Sequence, residues 1–262
     1  MILMAPNPAS GAALEAPPLL DCARTALFAD LDGTLAPIEA TPDAVGPDRD
    51  RRRLLDALAR ALGDRLAVVS GRGLGDLDRV LEGRVPAIAA VHGLARRAAD
   101  GRLITGAGSE RVDDALNAFL AFAKADAGLL VENKGVAVAL HYRRAPGTAD
   151  ACLDLARRLA ASLGLVMQEG DMVVELKAPG PDKGGAVEAF MAEAPFAGFT
   201  PVFLGDDLTD EHGFAAASAL GGFGVIVGPR RPTLADFALA DVAAARIWLI
   251  RSMAARPSEA PR

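Results

Sequence analysis

The segment Asp30-Leu31-Asp32-Gly33-Thr34 sets two carboxylates two residues apart at the end of a short apolar run. Side chains alternate along an extended backbone, so both acids fall on one side of the chain. Two like charges that close raise one proton affinity, which suits one as a nucleophile and the other as an acid. Acidic pairs are also common in ordinary turns, so this spacing alone is a weak sign. Three more polar clusters follow it: Ser70-Gly71-Arg72, Asp182-Lys183-Gly184-Gly185, and Gly205-Asp206-Asp207-Leu208-Thr209-Asp210-Glu211. A phosphate monoester is itself anionic and needs a cation beside such acids. Asp206 and Asp207 add hard oxygen ligands suited to Mg²⁺. Lys183, at a helix start, adds positive charge and backbone donors. Each cluster also has a plain structural reading as a turn, a cap or a solvated lysine; their order and placement favour a joint site for phosphoryl transfer.

The elements that must position these groups follow from the apolar pattern. Residues 26–30 and 66–70 read as buried strands, and leucines at 54, 55, 58 and 62 mark a helix that stops at Gly63. A helix over 74–81, a strand over 87–91 and a hairpin around Asp100-Gly101 complete a βαβ opening, which predicts a parallel sheet. From about residue 106 the order becomes helix, two strands (129–132, 136–143), helix, two strands (165–168, 172–177). After Lys183 the αβ rhythm returns, with strands at 202–204 and 225–227 and a last helix near Arg246. The expected fold class is therefore α/β, a Rossmannoid parallel-sheet core over 23–105 and 180–254 with an inserted α+β (αββαββ) unit over 106–179. Residues 1–22 are expected to form a flexible N-terminal tail. In open α/β sheets ligands bind beyond the carboxyl ends of the strands, where three of the four clusters fall.

In this order the motifs resemble those of the haloacid dehalogenase superfamily: Phe28-Ala29-Asp30-Leu31-Asp32-Gly33-Thr34-Leu35, Ser70, Lys183 and Gly205-Asp206-Asp207. The resemblance implies that Asp30 attacks phosphorus and that Asp32 protonates the leaving oxygen and then activates water. It implies that Ser70 and Lys183 hold the phosphoryl oxygens. It also implies Mg²⁺ held by Asp30, the Asp32 carbonyl and Asp206, with Asp207 and Asp210 as outer or additional ligands.

Alternation along 136–143 puts residues 136, 138, 140 and 142 on a helix-covered face and Ala137, Ala139, His141 and Arg143 on the other. Glu175 and Lys177 likewise oppose Met172, Val174 and Leu176. The insert is thus expected to present an open face of small, cationic and acidic residues, fit to grip a hydroxyl-rich ligand or simply to face solvent. A finer likeness is to the trehalose-6-phosphate phosphatases. It is carried by Val91-His92-Gly93, Arg96-Arg97, Val131-Glu132-Asn133-Lys134, His141-Tyr142-Arg143, Val173-Val174-Glu175-Leu176-Lys177 and Gly205 through Glu211. It implies a mobile cap whose Glu132, Lys134 and Glu175 grip the sugar, with Gly71, Arg72, His92, His141 and Arg143 as further substrate-binding residues. Ala95, Ala178 and Asp182 depart from the family pattern, which usually has Glu, Pro and Asn there.

The 262 residues carry a net charge of −6 and are 51% hydrophobic, enough for one sizeable core and a smaller second one. Mixed charge argues against a nucleic-acid footprint or a polybasic membrane anchor, which leaves a small-molecule substrate, trehalose 6-phosphate by the resemblance. The N-terminus lacks the basic and apolar regions of a signal peptide, so a cytoplasmic location is expected; the resemblance implies functional pairing with a trehalose-6-phosphate synthase. Cys22 and Cys152 are too few for a disulfide framework. Three alternatives stay open: a phosphatase for another disaccharide or glycosyl-polyol phosphate, a phosphomutase, and a non-catalytic sugar-phosphate sensor.

Overall fold

The computed structural model describes residues 14–39, 41–105 and 109–255. Its larger sheet begins with β1 (Thr25–Ala29), β2 (Leu66–Val69), β3 (Ala87–Ala90) and the hairpin β4 (Ala95–Arg97) and β5 (Leu103–Thr105). The chain returns to it with β10 (Thr200–Gly205), β11 (Phe223–Val227) and β12 (Phe237–Leu239), giving the order β12-β11-β10-β1-β2-β3-β4-β5. Pairing is parallel from β12 to β3 and antiparallel at the hairpin. Strand β12 was not foreseen; at three residues it is too short to show a period.

Helices α1 (Arg49–Leu62), α2 (Leu74–Leu81), α5 (Lys183–Met191), α6 (Glu211–Ala219) and α7 (Val242–Ala254) cover this sheet. Helices α1 and α2 run as expected, including the stop at Gly63. Alternation in β1 explains the two cores: Leu27 and Ala29 join Leu55, Leu58 and Leu249 on one face, while Phe28 joins Phe190, Phe196 and Phe214 on the other. Being buried on both faces is why the parallel strands read as unbroken apolar runs.

Between β5 and α5 lie α3 (Ser109–Ala123), β6 (Leu130–Asn133), β7 (Ala137–His141), α4 (Ala149–Leu163), β8 (Val166–Gly170) and β9 (Val173–Lys177). Their antiparallel sheet, ordered β6-β7-β9-β8, has its own core of Val138, Leu140, Tyr142, Val174 and Leu176 under Phe119 and Cys152. The opposite face is less open than its pattern suggests. Ala137 is fully buried and, with Val136, belongs to the core of the larger sheet, so the small sheet rests on the large one.

The tail expectation needs correction over its second half. Residues 1–13 lie outside the described residues, as do 106–108 at the start of the insert. Residues 14–22 are docked: Leu20 is buried, its N–H donates to Ser252 Oγ at 3.1 Å, and Trp248 Nε1 donates to the Pro18 carbonyl at 2.9 Å. Among the described residues no helix is long and apolar enough to cross a membrane.

Candidate active site

The order of the large sheet reverses between β1 and β10, which run on to β2 and β11 in opposite directions. Such a switch point opens a crevice at the carboxyl ends of its strands. Asp30 follows β1, Asp206 follows β10 and Ser70 follows β2, so three separate segments deliver their polar groups to one place. Lys183 arrives with α5, which is pinned under the sheet by Phe28, Phe190 and Phe196, whose ring centroids lie 5.3–6.0 Å apart.

At the centre Lys183 Nζ stands 2.6 Å from Asp210 Oδ1 and 3.2 Å from Asp30 Oδ1. Burial works against this ammonium, but Asp30 and Asp210 overcome it and hold its pKa well above the ordinary lysine range. Asp210 also accepts the N–H groups of Asp206 and Asp207 through its other oxygen, at 2.9 and 3.0 Å. Thr34 Oγ1 donates to Asp206 Oδ1 at 3.2 Å. Gly33 lies against the same carboxylate with φ +80°, and a Cβ there would fall 2.1 Å from Asp206 Oδ2. Only glycine allows the approach.

Oxygens of Asp30, Asp206 and Asp210 lie within 4.8 Å of one another. Burial, with Asp210 and Asp206 adding to it against Lys183, raises Asp30 to about 8. Burial and Asp210 raise Asp206 to about 7. Asp30 Oδ1 is buried and, although at ion-pair distance from Lys183, receives no properly directed hydrogen bond. Crowded oxygen donors with one orphaned atom fit a hard divalent cation. Of the two aspartates expected as outer or additional ligands, Asp210 belongs to this cluster and Asp207 stands apart from it. Asp207 caps the short turn 208–210, leaves its side chain 60% exposed 3.7 Å from Arg230, and stays outside the cluster that Asp210 completes.

The remaining sequence candidates line a cleft of about 520 Å³ between the two sheets, together with Ile38, Glu39, Thr41 and Val45. Ser70 is 2% exposed and faces this cleft beside Gly71. The His92 ring packs on Gly71, where a Cβ would come within 2.6 Å of it. Burial and nearby Lys183, Lys177 and Lys134 lower His92 to about 2, so it is a neutral imidazole, with Nδ1 buried and unpartnered. From the small sheet, Lys134 Nζ donates to Glu175 Oε2 at 2.5 Å and to the Gly71 carbonyl at 3.2 Å. His141 Nε2 and Glu132 Oε2 are 2.9 Å apart. Burial opposes ionisation of Glu132, but His141 and Lys134 hold it below the usual carboxylate range.

Two expected substrate residues are otherwise engaged. Arg143 is 56% exposed and ion-paired to Asp171 at 2.7 Å at the cleft rim. Arg72 grips Asp32 with Nε at 2.6 Å and Nη2 at 2.8 Å. A larger cavity of about 950 Å³ reaches Asp206 and Thr34 from the side of α1 and α7, but touches neither Asp30 nor Ser70. The chemistry therefore belongs to the smaller, charged cleft. Thr34 and Asp210 matter more here than their sequence positions suggested, because their roles depend on a chain 172 and 27 residues away.

This parallel sheet, its inserted cap and an aspartate cluster at the switch point define a phosphatase of the haloacid dehalogenase type. The model of the trehalose-phosphatase family matches residues 28–243. Trehalose-6-phosphate phosphatase of Escherichia coli (strain K12) is 42% identical over 232 residues, covering 87% of this chain and 86% of that protein. A bifunctional trehalose-6-phosphate synthase/phosphatase of Thermoproteus tenax is 35% identical over 232 residues, 83% of this chain and 30% of that one. Among solved structures, a trehalose-6-phosphate phosphatase related protein superposes with a TM-score of 0.75 at 26% identity, covering 87% of this chain and 96% of that one. The chain belongs to the trehalose-phosphatase family.

Proposed function

We propose that this chain hydrolyses trehalose 6-phosphate to trehalose and phosphate, with Asp30 as nucleophile. The observation that carries the reading is the cleft itself. Asp30, Ser70 and Lys183 line one wall and Glu132, Lys134, His141 and Glu175 the other. Glu175 Oε1 is buried without a partner, an acceptor that a sugar hydroxyl would fill.

In this reading an Asp30 oxygen forms a bond to phosphorus as the bond to the sugar oxygen breaks. Asp32 protonates that leaving oxygen and then takes a proton from the water that cleaves the aspartyl-phosphate. Lys183 and Ser70 hold the phosphoryl oxygens, with Gly71 and the neutral His92 shaping the floor. Mg²⁺, held by Asp30, Asp206 and the Asp32 carbonyl beside Asp210, would supply positive charge against the developing phosphoryl charge. Residues 106–179 act as the cap over the core 23–105 and 180–254, closing on the disaccharide through Lys134 and excluding bulk water.

A cytoplasmic setting belongs to the proposal; the free thiols of Cys22 and Cys152 suit a reducing compartment. So does cooperation with a trehalose-6-phosphate synthase, an activity joined to this domain type in the Thermoproteus tenax relative. The test is phosphate release from trehalose 6-phosphate with Mg²⁺, beside a chelator control, Asp30→Asn and a panel of disaccharide phosphates. Turnover surviving chelator or Asp30→Asn refutes the mechanism, and turnover of the panel without trehalose 6-phosphate refutes the substrate.

A further inference from the structure

The guanidinium of Arg72 lies between two carboxylates. Its Nε and Nη2 clasp Asp32, at 2.6 and 2.8 Å, while Nη1 donates to Asp76 Oδ2. The Arg72 side chain is 8% exposed, against 32% for Asp32 and 26% for Asp76. Asp76 sits in the first turn of α2. Its other oxygen accepts from Arg79 Nε at 3.0 Å, and Arg79 Nη2 also donates to the Val45 carbonyl at 3.1 Å, beside the cleft. Asp76 is therefore held from two sides, and the row Asp32, Arg72, Asp76, Arg79 runs from the reacting centre to the cleft wall.

A first-turn acid favours its helix in any case. That role does not account for one of its oxygens being taken by the arginine that clasps Asp32. In the first step an Asp30 oxygen bonds to phosphorus and the phosphorus–sugar oxygen bond breaks. The electron pair stays on the sugar oxygen, which takes the proton of the Asp32 carboxyl. For this Asp32 must turn an oxygen out of the arginine fork. Without Asp76, the departure of Asp32 would take both of these carboxylates from a nearly buried cation, which is costly.

We propose that Asp76 is a positioning residue for the reaction: by neutralising Arg72 it allows Asp32 to leave the fork, reach the leaving oxygen and return. The inference rests on the reading of Asp32 as the general acid. Asparagine at position 76 removes one of these two carboxylate contacts, so Arg72 holds Asp32 the more firmly.

The test compares two leaving groups, because p-nitrophenolate departs without a proton whereas a sugar alkoxide does not. In Asp76→Asn, kcat/KM for trehalose 6-phosphate is expected to fall by about tenfold or more, within the range of general-acid effects, against less than about threefold for p-nitrophenyl phosphate. Asp76→Glu restores the sugar-phosphate rate. Asp32→Asn is the control and shows the same split more strongly. A split in Asp32→Asn with equal losses on both substrates in Asp76→Asn, or no loss, overturns the role of Asp76 alone. No split in Asp32→Asn overturns the general-acid reading beneath it. Thermal melts of each variant separate misfolding, which lowers both rates together, from the expected split.

Discussion

Asp210 Oδ1 lies 2.6 Å from Lys183 Nζ, and neither side chain has more than 2% of its surface exposed. The pair ties α5 to the loop after β10, because the other Asp210 oxygen accepts two backbone N–H groups of that loop. Removing Asp210 leaves the buried Lys183 with Asp30 alone, at 3.2 Å, and strands the two backbone N–H groups. Asp210→Ala is therefore expected to destabilise the protein by about 3–5 kcal/mol. Asp210→Asn keeps an oxygen for the two N–H groups and should cost less. Urea denaturation of both variants checks the order; equal costs would show that the backbone acceptor role carries nothing.

The acidic cluster predicts how stability responds to pH once divalent cations are removed. Folded Asp30 and Asp206 bind protons up to about pH 8 and 7, whereas both are ionised above pH 4 in the unfolded chain. The folded state thus holds more protons, so the metal-free protein loses stability as pH rises through 6.5 to 8.5, by about 1 kcal/mol per pH unit for each proton held. His92, lowered to about 2, works the other way but only below its unfolded value near 6.5, outside that window. Bound Mg²⁺ removes the need for those protons and should flatten the slope. Melting temperatures with chelator and with Mg²⁺ across this range give the comparison, and parallel curves would sink the expectation.

Much of this site was legible in the sequence because three of its polar groups sit where an apolar run stops. Asp30, Ser70 and Asp206 end buried strands, and the topology of a parallel sheet brings such ends together. Lys183 was legible as a helix start. What the pattern could not show is which side chains are already engaged. Nothing in Ser70-Gly71-Arg72 says that Arg72 turns back onto Asp32 forty residues away, or that Asp207 faces solvent while Asp210 faces inward. The second of these follows from the turn 208–210, whose geometry aims the third acid of the segment at Lys183. On the open face of the insert, periodicity put Ala139, His141, Arg143 and Glu175 together, and all four line the cleft, but it cannot say that Ala137 is buried in the core of the larger sheet.

Gly33→Ala tests how closely the loop after β1 must approach Asp206. The left-handed φ and the 2.1 Å clearance to Asp206 Oδ2 both forbid a side chain without displacement of the carboxylate. The expected result is weaker binding of divalent cation, by about tenfold or more, as for changes to groups that orient metal ligands. Isothermal titration with Mn²⁺ reads it without reference to turnover. Unchanged affinity would mean that Asp206 is not a ligand.

Lys134 and Glu175 form one of the contacts between the insert and the core, since Lys134 also donates to the Gly71 carbonyl. Glu175→Gln removes charge from the acceptor proposed to meet the sugar but preserves its shape. KM for trehalose 6-phosphate is expected to rise by about tenfold, the worth of one hydrogen bond to a charged group, while p-nitrophenyl phosphate, which has no second sugar to grip, changes little. Lys134→Met poses the sharper question. It leaves Glu175, 7% exposed, without its cation, so part of its effect is the cost of a stranded carboxylate. Combining it with Glu175→Gln removes that cost, and the double variant should be more stable than Lys134→Met alone. If the two substitutions add without interaction, the pair is not coupled, and the cap closes through other contacts.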